Sequence, residues 1–149
     1  LNVASLDDIL NFSKNQPPYI QQLVENFLPG PLTIILEAND KVPCWVNSDL
    51  TTVGFRIPSH PITLELIREC GPLIGPSANI SGCESGVNFK QILEVFDREV
   101  LGIEDDSFLT GQDSTILDLT GKKVRILRQG SITQKDILTK IPEIPFEEV

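Results

Sequence analysis

Apolar and polar positions alternate along the chain in two periods, and the changes between them mark the elements. Ser5-Leu6-Asp7-Asp8 reads as a capping box, with Ser5 as N-cap and Asp8 at N3. A short helix is predicted to follow, burying Leu6, Ile9 and Leu10. Pro17-Pro18 opens a second helix, because fixed φ and missing N–H groups cost nothing in a first turn. Its apolar face is Ile20, Leu23, Val24 and Phe27, at 3,4-type spacing. Pro29-Gly30-Pro31 stops it and turns the chain into Leu32–Glu37, a continuous β-prone run typical of a buried strand.

The polar stretch 38–50, with Pro43, reads as a loop, and Thr52–Ile57 as a second strand. His60-Pro61 starts a third helix through Leu64, Leu66 and Ile67, ending near Gly71. Leu73-Ile74 is expected to be a short buried strand, followed by a small, turn-rich segment from Gly75 to Gly86. Phe89, Ile92, Leu93 and Phe96 mark a fourth helix. Thr115–Leu119 and Val124–Leu127 form a hairpin around Thr120-Gly121-Lys122. Thr133-x-x-Asp136 is a second capping box, leading into a last helix over Ile137 and Leu138. The pattern predicts one α/β or α+β domain over residues 1–141, with a mixed sheet, no repeat and no break, and a loose tail over 142–149.

At 149 residues, 40% hydrophobic and 22% charged, the chain can build its own core and is not a disordered segment. No apolar run approaches the roughly 18 residues that span a membrane. Leu1-Asn2-Val3 has no signal-peptide pattern and no initiator Met, so the chain reads as beginning inside a longer protein. Cys44, Cys70 and Cys83 lack C-x-x-C spacing and read as reduced thiols of a cytoplasmic protein. The net charge of −9 argues against coating nucleic acid electrostatically, but leaves room for an anionic ligand held by local arginines.

The candidate chemistry is spread over several segments. Gly75-Pro76-Ser77-Ala78-Asn79-Ile80-Ser81-Gly82 is a small, hydroxyl-rich loop whose backbone N–H groups can approach an anion; a turn with satisfied caps accounts for the same composition. Arg56 sits in a β-prone run, where a charge is costly unless it is paired or faces a cavity, and a strand-edge Arg reaching solvent is the plainer alternative. Gly54 two residues earlier suggests close approach by a ligand or another backbone. Arg128 and Ser114 stand at strand ends, where they either line a site or simply end a strand. Pro29-Gly30-Pro31-Leu32-Thr33 reads as a rigid turn feeding a strand. The single histidine, His60, reads as helix entry, and Glu104-Asp105-Asp106 as a solvated acidic loop. There is no Walker loop and no Rossmann fingerprint.

Five segments in order resemble the YrdC-like family of threonylcarbamoyl-adenylate synthases: Pro29–Thr33, Thr52–Pro58, Pro76–Gly82, Ser114–Asp118 and Leu127–Thr133. The resemblance implies a twisted mixed sheet with flanking helices and a concave ligand site. It implies that Arg56, Ser114 and the main chain at Gly75 hold L-threonine. It places Thr52, Ser77 and Arg128 around ATP, with Asn79 shaping the same loop. The implied reaction joins L-threonine, bicarbonate and ATP into threonylcarbamoyl-AMP and pyrophosphate, with Mg2+ on the phosphates. The product would serve tRNA modification through a threonylcarbamoyl transferase complex. Family members carry a further segment ahead of the point where this chain starts, with a Lys/Arg-containing motif on ATP, so the resemblance implies an N-terminally incomplete domain. Gln129 stands where many relatives have Pro. Two other readings remain open: a non-catalytic nucleotide- or weak RNA-binding module, and the related carbamoyl-transfer domain of hydrogenase-maturation proteins.

Overall fold

The computed structural model describes residues 1–83, 86–97, 99–108 and 111–147. Glu84 and Ser85 of the turn-rich segment and residues 148–149 of the expected tail lie outside the described residues. The elements are α1 (Leu6–Phe12), β1 (Ser13–Lys14), α2 (Ile20–Phe27), β2 (Leu32–Ala38), β3 (Thr52–Phe55), α3 (Pro61–Cys70), α4 (Phe89–Val95), β4 (Thr115–Asp118), β5 (Arg125–Arg128) and α5 (Gln134–Lys140). They fall into two compact units, Leu1–Ile74 with Gln112–Val149, and Gly75–Gly111. The alternation of elements along the sequence did not mark that division.

The first unit holds a five-stranded mixed sheet. β2 pairs antiparallel with β3 along one edge. Along the other edge it pairs parallel with β4 over Leu32–Ile35, then antiparallel with β1 over Glu37–Ala38. β4 and β5 form the expected antiparallel hairpin, with a register shift that skips the half-exposed Leu127. Asn2 bridges both Arg56 and Leu73, adding the chain's start to the β3 side.

The pleat sends Leu32, Ile34 and Leu36 of β2 to one face, beside Val53 and Phe55 of β3 and Leu117 of β4. These share one cluster with Ile9 of α1, Leu23 and Val24 of α2, and Ile137 of α5. Burying each such aliphatic side chain contributes about 1.5–3 kcal/mol. The apolar face expected for α2 is the one that packs, with Phe27 at its margin.

Both capping signatures hold their helices. Thr133 and Asp136 make the full reciprocal box. Ser5 Oγ accepts from the Asp8 N–H at 3.2 Å, while the Asp8 carboxylate reaches back to the Ala4 N–H at 3.0 Å.

Several expectations need correction. Leu10 is exposed, because one residue of helix turns it about 100° away from the buried Ile9. Leu66 of α3 is likewise exposed, and only Ile67 of that helix is buried. Leu73 makes a single bridge and Ile74 is half-exposed, so no buried strand forms at the end of the first unit. Residues 142–147 are held rather than loose: Ile144 is buried, and the Glu147 N–H donates to Val124 O at 3.0 Å.

In the second unit Asn88 caps α4 through the Gln91 N–H, and Asp106 accepts from the Phe89 N–H. Among the described residues no helix is long and apolar enough to cross a membrane.

Candidate anion-binding face of the sheet

The face of the sheet opposite the core carries small and polar residues beside Ile35 and Ile116, where the core face is apolar. Alternation places Thr33 of β2, Thr52 and Gly54 of β3, Arg56 just beyond it, and Ser114 just ahead of β4 on this side. A Cβ at Gly54 would meet only the Thr33 methyl at 3.5 Å and Ile35 at 3.9 Å, with no backbone near. The missing side chain therefore leaves room above the sheet rather than admitting another strand.

Ser114 is the most constrained of these residues. It is 4% exposed. Arg128 Nη2 donates to its Oγ at 3.0 Å and Arg128 Nε to its carbonyl at 3.0 Å. Thr33 Oγ1 lies 2.9 Å from the same Oγ. The strand beneath is clamped by Thr115, whose hydroxyl donates to Ile132 O and accepts from the N–H groups of Gly130 and Ile132. Gly130 has to be glycine, since a Cβ there would lie 2.4 Å from both Asp113 O and Thr115 N. The Arg128–Thr133 segment is thus a buttress that fixes where Ser114 points.

Arg56 supplies the charge. Burial lowers its pKa, the neighbouring Arg128 lowers it further, and Asp113 partly offsets both. A guanidinium nevertheless stays protonated at neutral pH. Its Nε is buried and has no hydrogen-bond partner among the described residues. Arg128 is better satisfied: two of its five N–H donors go to Ser114, and Asp113 faces Nη1 at 3.4 Å. Two adjacent guanidinium groups, one carrying an unsatisfied buried donor, form a site that an anion would complete.

The first unit therefore brings Arg56, Ser114 and Arg128 together. Thr52 shares their face about 13 Å along the strand from Arg56, at ~3.3 Å per residue. Gly75, Ser77 and Asn79 belong to the second unit. There Gly75 and Ser77 are exposed, while the Asn79 amide donates to Ile80 O and Cys83 O, each at 3.0 Å, and so braces its own loop. Gly82 closes that loop at φ +85°, a conformation suited to glycine.

Sequence reading missed Asp113, which sits in a stretch that looks like plain loop, and the hydroxyl contact of Thr33. The signal for Thr33 was its parity with the exposed side of β2. Among the described residues no group of three His, Cys, Asp or Glu side chains is placed to hold a metal ion.

A mixed α/β sheet presents two arginines and a buttressed serine on one face, an arrangement whose donors suit a small carboxylate or phosphate. Residues 1–130 match the family model of Sua5, YciO and YrdC proteins, described as telomere recombination, and the chain belongs to that family. It is 34% identical over 146 residues to a threonylcarbamoyl-AMP synthase of Pyrococcus abyssi, covering 97% of this chain and 43% of that protein. It is 34% identical over 151 residues to a threonylcarbamoyl-AMP synthase of Bacillus subtilis, covering 99% of this chain and 44% of the relative. The crystal structure of P. abyssi Sua5 complexed with L-threonine is similar with a TM-score of 0.88 and 34% identity, over 98% of this chain and 44% of that one. The chain thus spans less than half the length of these relatives.

Proposed function

We propose that the chain carries substrate-binding residues of an L-threonylcarbamoyladenylate synthase, which forms threonylcarbamoyl-AMP and pyrophosphate from L-threonine, bicarbonate and ATP. The observation that carries this reading is the half-buried Arg56, whose Nε has no partner among the described residues, beside the Arg128–Ser114 pair. Such a site suits an amino-acid carboxylate, and the similarity to a Sua5 that binds L-threonine supports that ligand over other anions.

On this reading Arg56 and Ser114 hold the threonine carboxylate and its neighbours, with the Gly75 main chain on the same substrate. Thr52, Ser77 and Arg128 contact ATP, and Asn79 keeps the Ser77 loop in shape. Arg128 serves twice, bracing Ser114 and offering its remaining donors to phosphate. The threonine amine attacks bicarbonate-derived carbon dioxide, losing a proton and forming a carbamate. A carbamate oxygen then attacks the α-phosphorus, and pyrophosphate leaves with the bonding pair. The side chains contribute position and charge rather than covalent chemistry. Mg2+ would travel on the phosphates of ATP. The product passes to a threonylcarbamoyl transferase complex acting on tRNA in the cytoplasm.

The test is calorimetric titration of the chain with L-threonine and with ATP, together with pyrophosphate release in the presence and absence of threonine and bicarbonate. Saturable binding of both ligands, with threonine binding lost in Arg56→Ala, is expected. A chain that binds neither ligand overturns the reading.

A further inference from the structure

The Pro29–Thr33 turn feeds β2, and its last residue also touches the site. Thr33 stands on β2 with its methyl beneath Gly54 and its hydroxyl 2.9 Å from Ser114 Oγ, a residue 81 positions away in sequence. We propose that Thr33 is a positioning residue for the amino-acid substrate, setting the direction in which the Ser114 hydroxyl donates. The inference rests on the reading that Ser114 meets that substrate.

The argument is one of hydrogen-bond capacity. A serine hydroxyl has one proton and two lone pairs. Arg128 can only donate, so its Nη2 fills one lone pair of Ser114. If Thr33 donates as well, both lone pairs are filled, and the Ser114 proton has no acceptor within the cluster. It is then directed at the ligand. If Thr33 accepts instead, it consumes that proton and leaves only a lone pair for the ligand. A carboxylate accepts and never donates, so its arrival selects the first arrangement. The charge of Arg128 on the same oxygen makes the outgoing hydrogen bond stronger. Because Ser114 is almost wholly buried, water cannot readily replace Thr33 in this role.

Thr33→Val keeps the shape and removes the hydroxyl; Thr33→Ser keeps the hydroxyl and removes the methyl. In calorimetric titrations Thr33→Val is expected to weaken L-threonine about tenfold, the loss set by a hydrogen bond of this kind, while ATP affinity changes less than about twofold. Thr33→Ser is expected to stay within about twofold of the wild type for both ligands. In a Ser114→Ala background, Thr33→Val is expected to add nothing, since the two residues act through one bond.

Unchanged threonine affinity in Thr33→Val, an equal loss for both ligands, or full additivity with Ser114→Ala would each overturn the assignment. Thermal melts of each variant identify any loss caused by unfolding, in which case the Thr33→Ser and Ser114→Ala comparison decides. Absence of threonine binding in the wild type removes the functional reading itself, a result distinct from a selective failure at Thr33.

Discussion

The two faces of β2 are built from alternate residues of one short strand, and they do different work. Leu32, Ile34 and Leu36 point into a core where they are essentially inaccessible. Thr33 and Ile35 point the other way and stay half-buried, beside Gly54 and the hydroxyl of Ser114. On the first face energy comes from apolar area removed from water. On the second the groups are held short of full satisfaction, and Arg56 keeps a buried donor without a partner among the described residues. Folding stability and ligand affinity are thus separated by a rotation of one residue along the strand.

That separation is tested most severely on the core face. Phe55→Ala, opposite Ile34, is expected to cost about 3–5 kcal/mol in urea unfolding, because it opens a cavity in the packed cluster. Gly130→Ala probes the buttress between the faces. Its new methyl would overlap backbone that no rotamer can move, so a loss of about 3 kcal/mol is expected, with weakened threonine binding because Ser114 shifts.

Asp118 gives a smaller effect with a pH signature. Burial pushes its pKa up, but hydrogen bonds from the Thr120 hydroxyl and N–H, together with the Arg125 pair, outweigh burial and hold it below the ordinary carboxylate value. A depressed folded-state pKa contributes stability that is complete above the unfolded value of about 3.9 and is lost as pH falls through the folded one. Asp118→Asn is expected to cost about 2 kcal/mol at pH 7. The gap between wild type and variant should close progressively below about pH 4. A gap that stays constant down to pH 2 would mean the charge carries none of it.

The smallest expected change in stability is on the ligand face. Arg56→Met should alter unfolding free energy by no more than about 0.5 kcal/mol, because it removes a desolvated, repelled charge while keeping an apolar stem. Threonine binding should nevertheless be lost. A stability loss comparable to that of Phe55→Ala would erase the distinction between the faces.

Much of the fold was legible because it is written in local chemistry. The spacing of Ile20, Leu23, Val24 and Phe27 marks α2, and Ser5 and Thr133 mark the starts of α1 and α5. The errors fell where burial depends on distant partners. Leu10, Leu66 and Ile74 are apolar enough to be core, but the surfaces that would cover them are not supplied by their neighbours in sequence. The end of the chain looked loose by composition, yet Val124 offers a backbone carbonyl to Glu147 and the tail is tied down.

The sequence by itself determined the helices and the longer strands, the family resemblance and the residue types of the site, since periodicity, caps and motifs are properties of neighbouring residues. Only the tertiary structure decided which of those residues meet. Parallel pairing of β2 with β4 brings Thr33 to Ser114, and the β4–β5 hairpin brings Arg128 over the same oxygen. The reason is physical: strand register and face are set by packing between segments far apart in the chain, and the direction of a shared hydroxyl proton depends on every donor and acceptor that packing assembles around it.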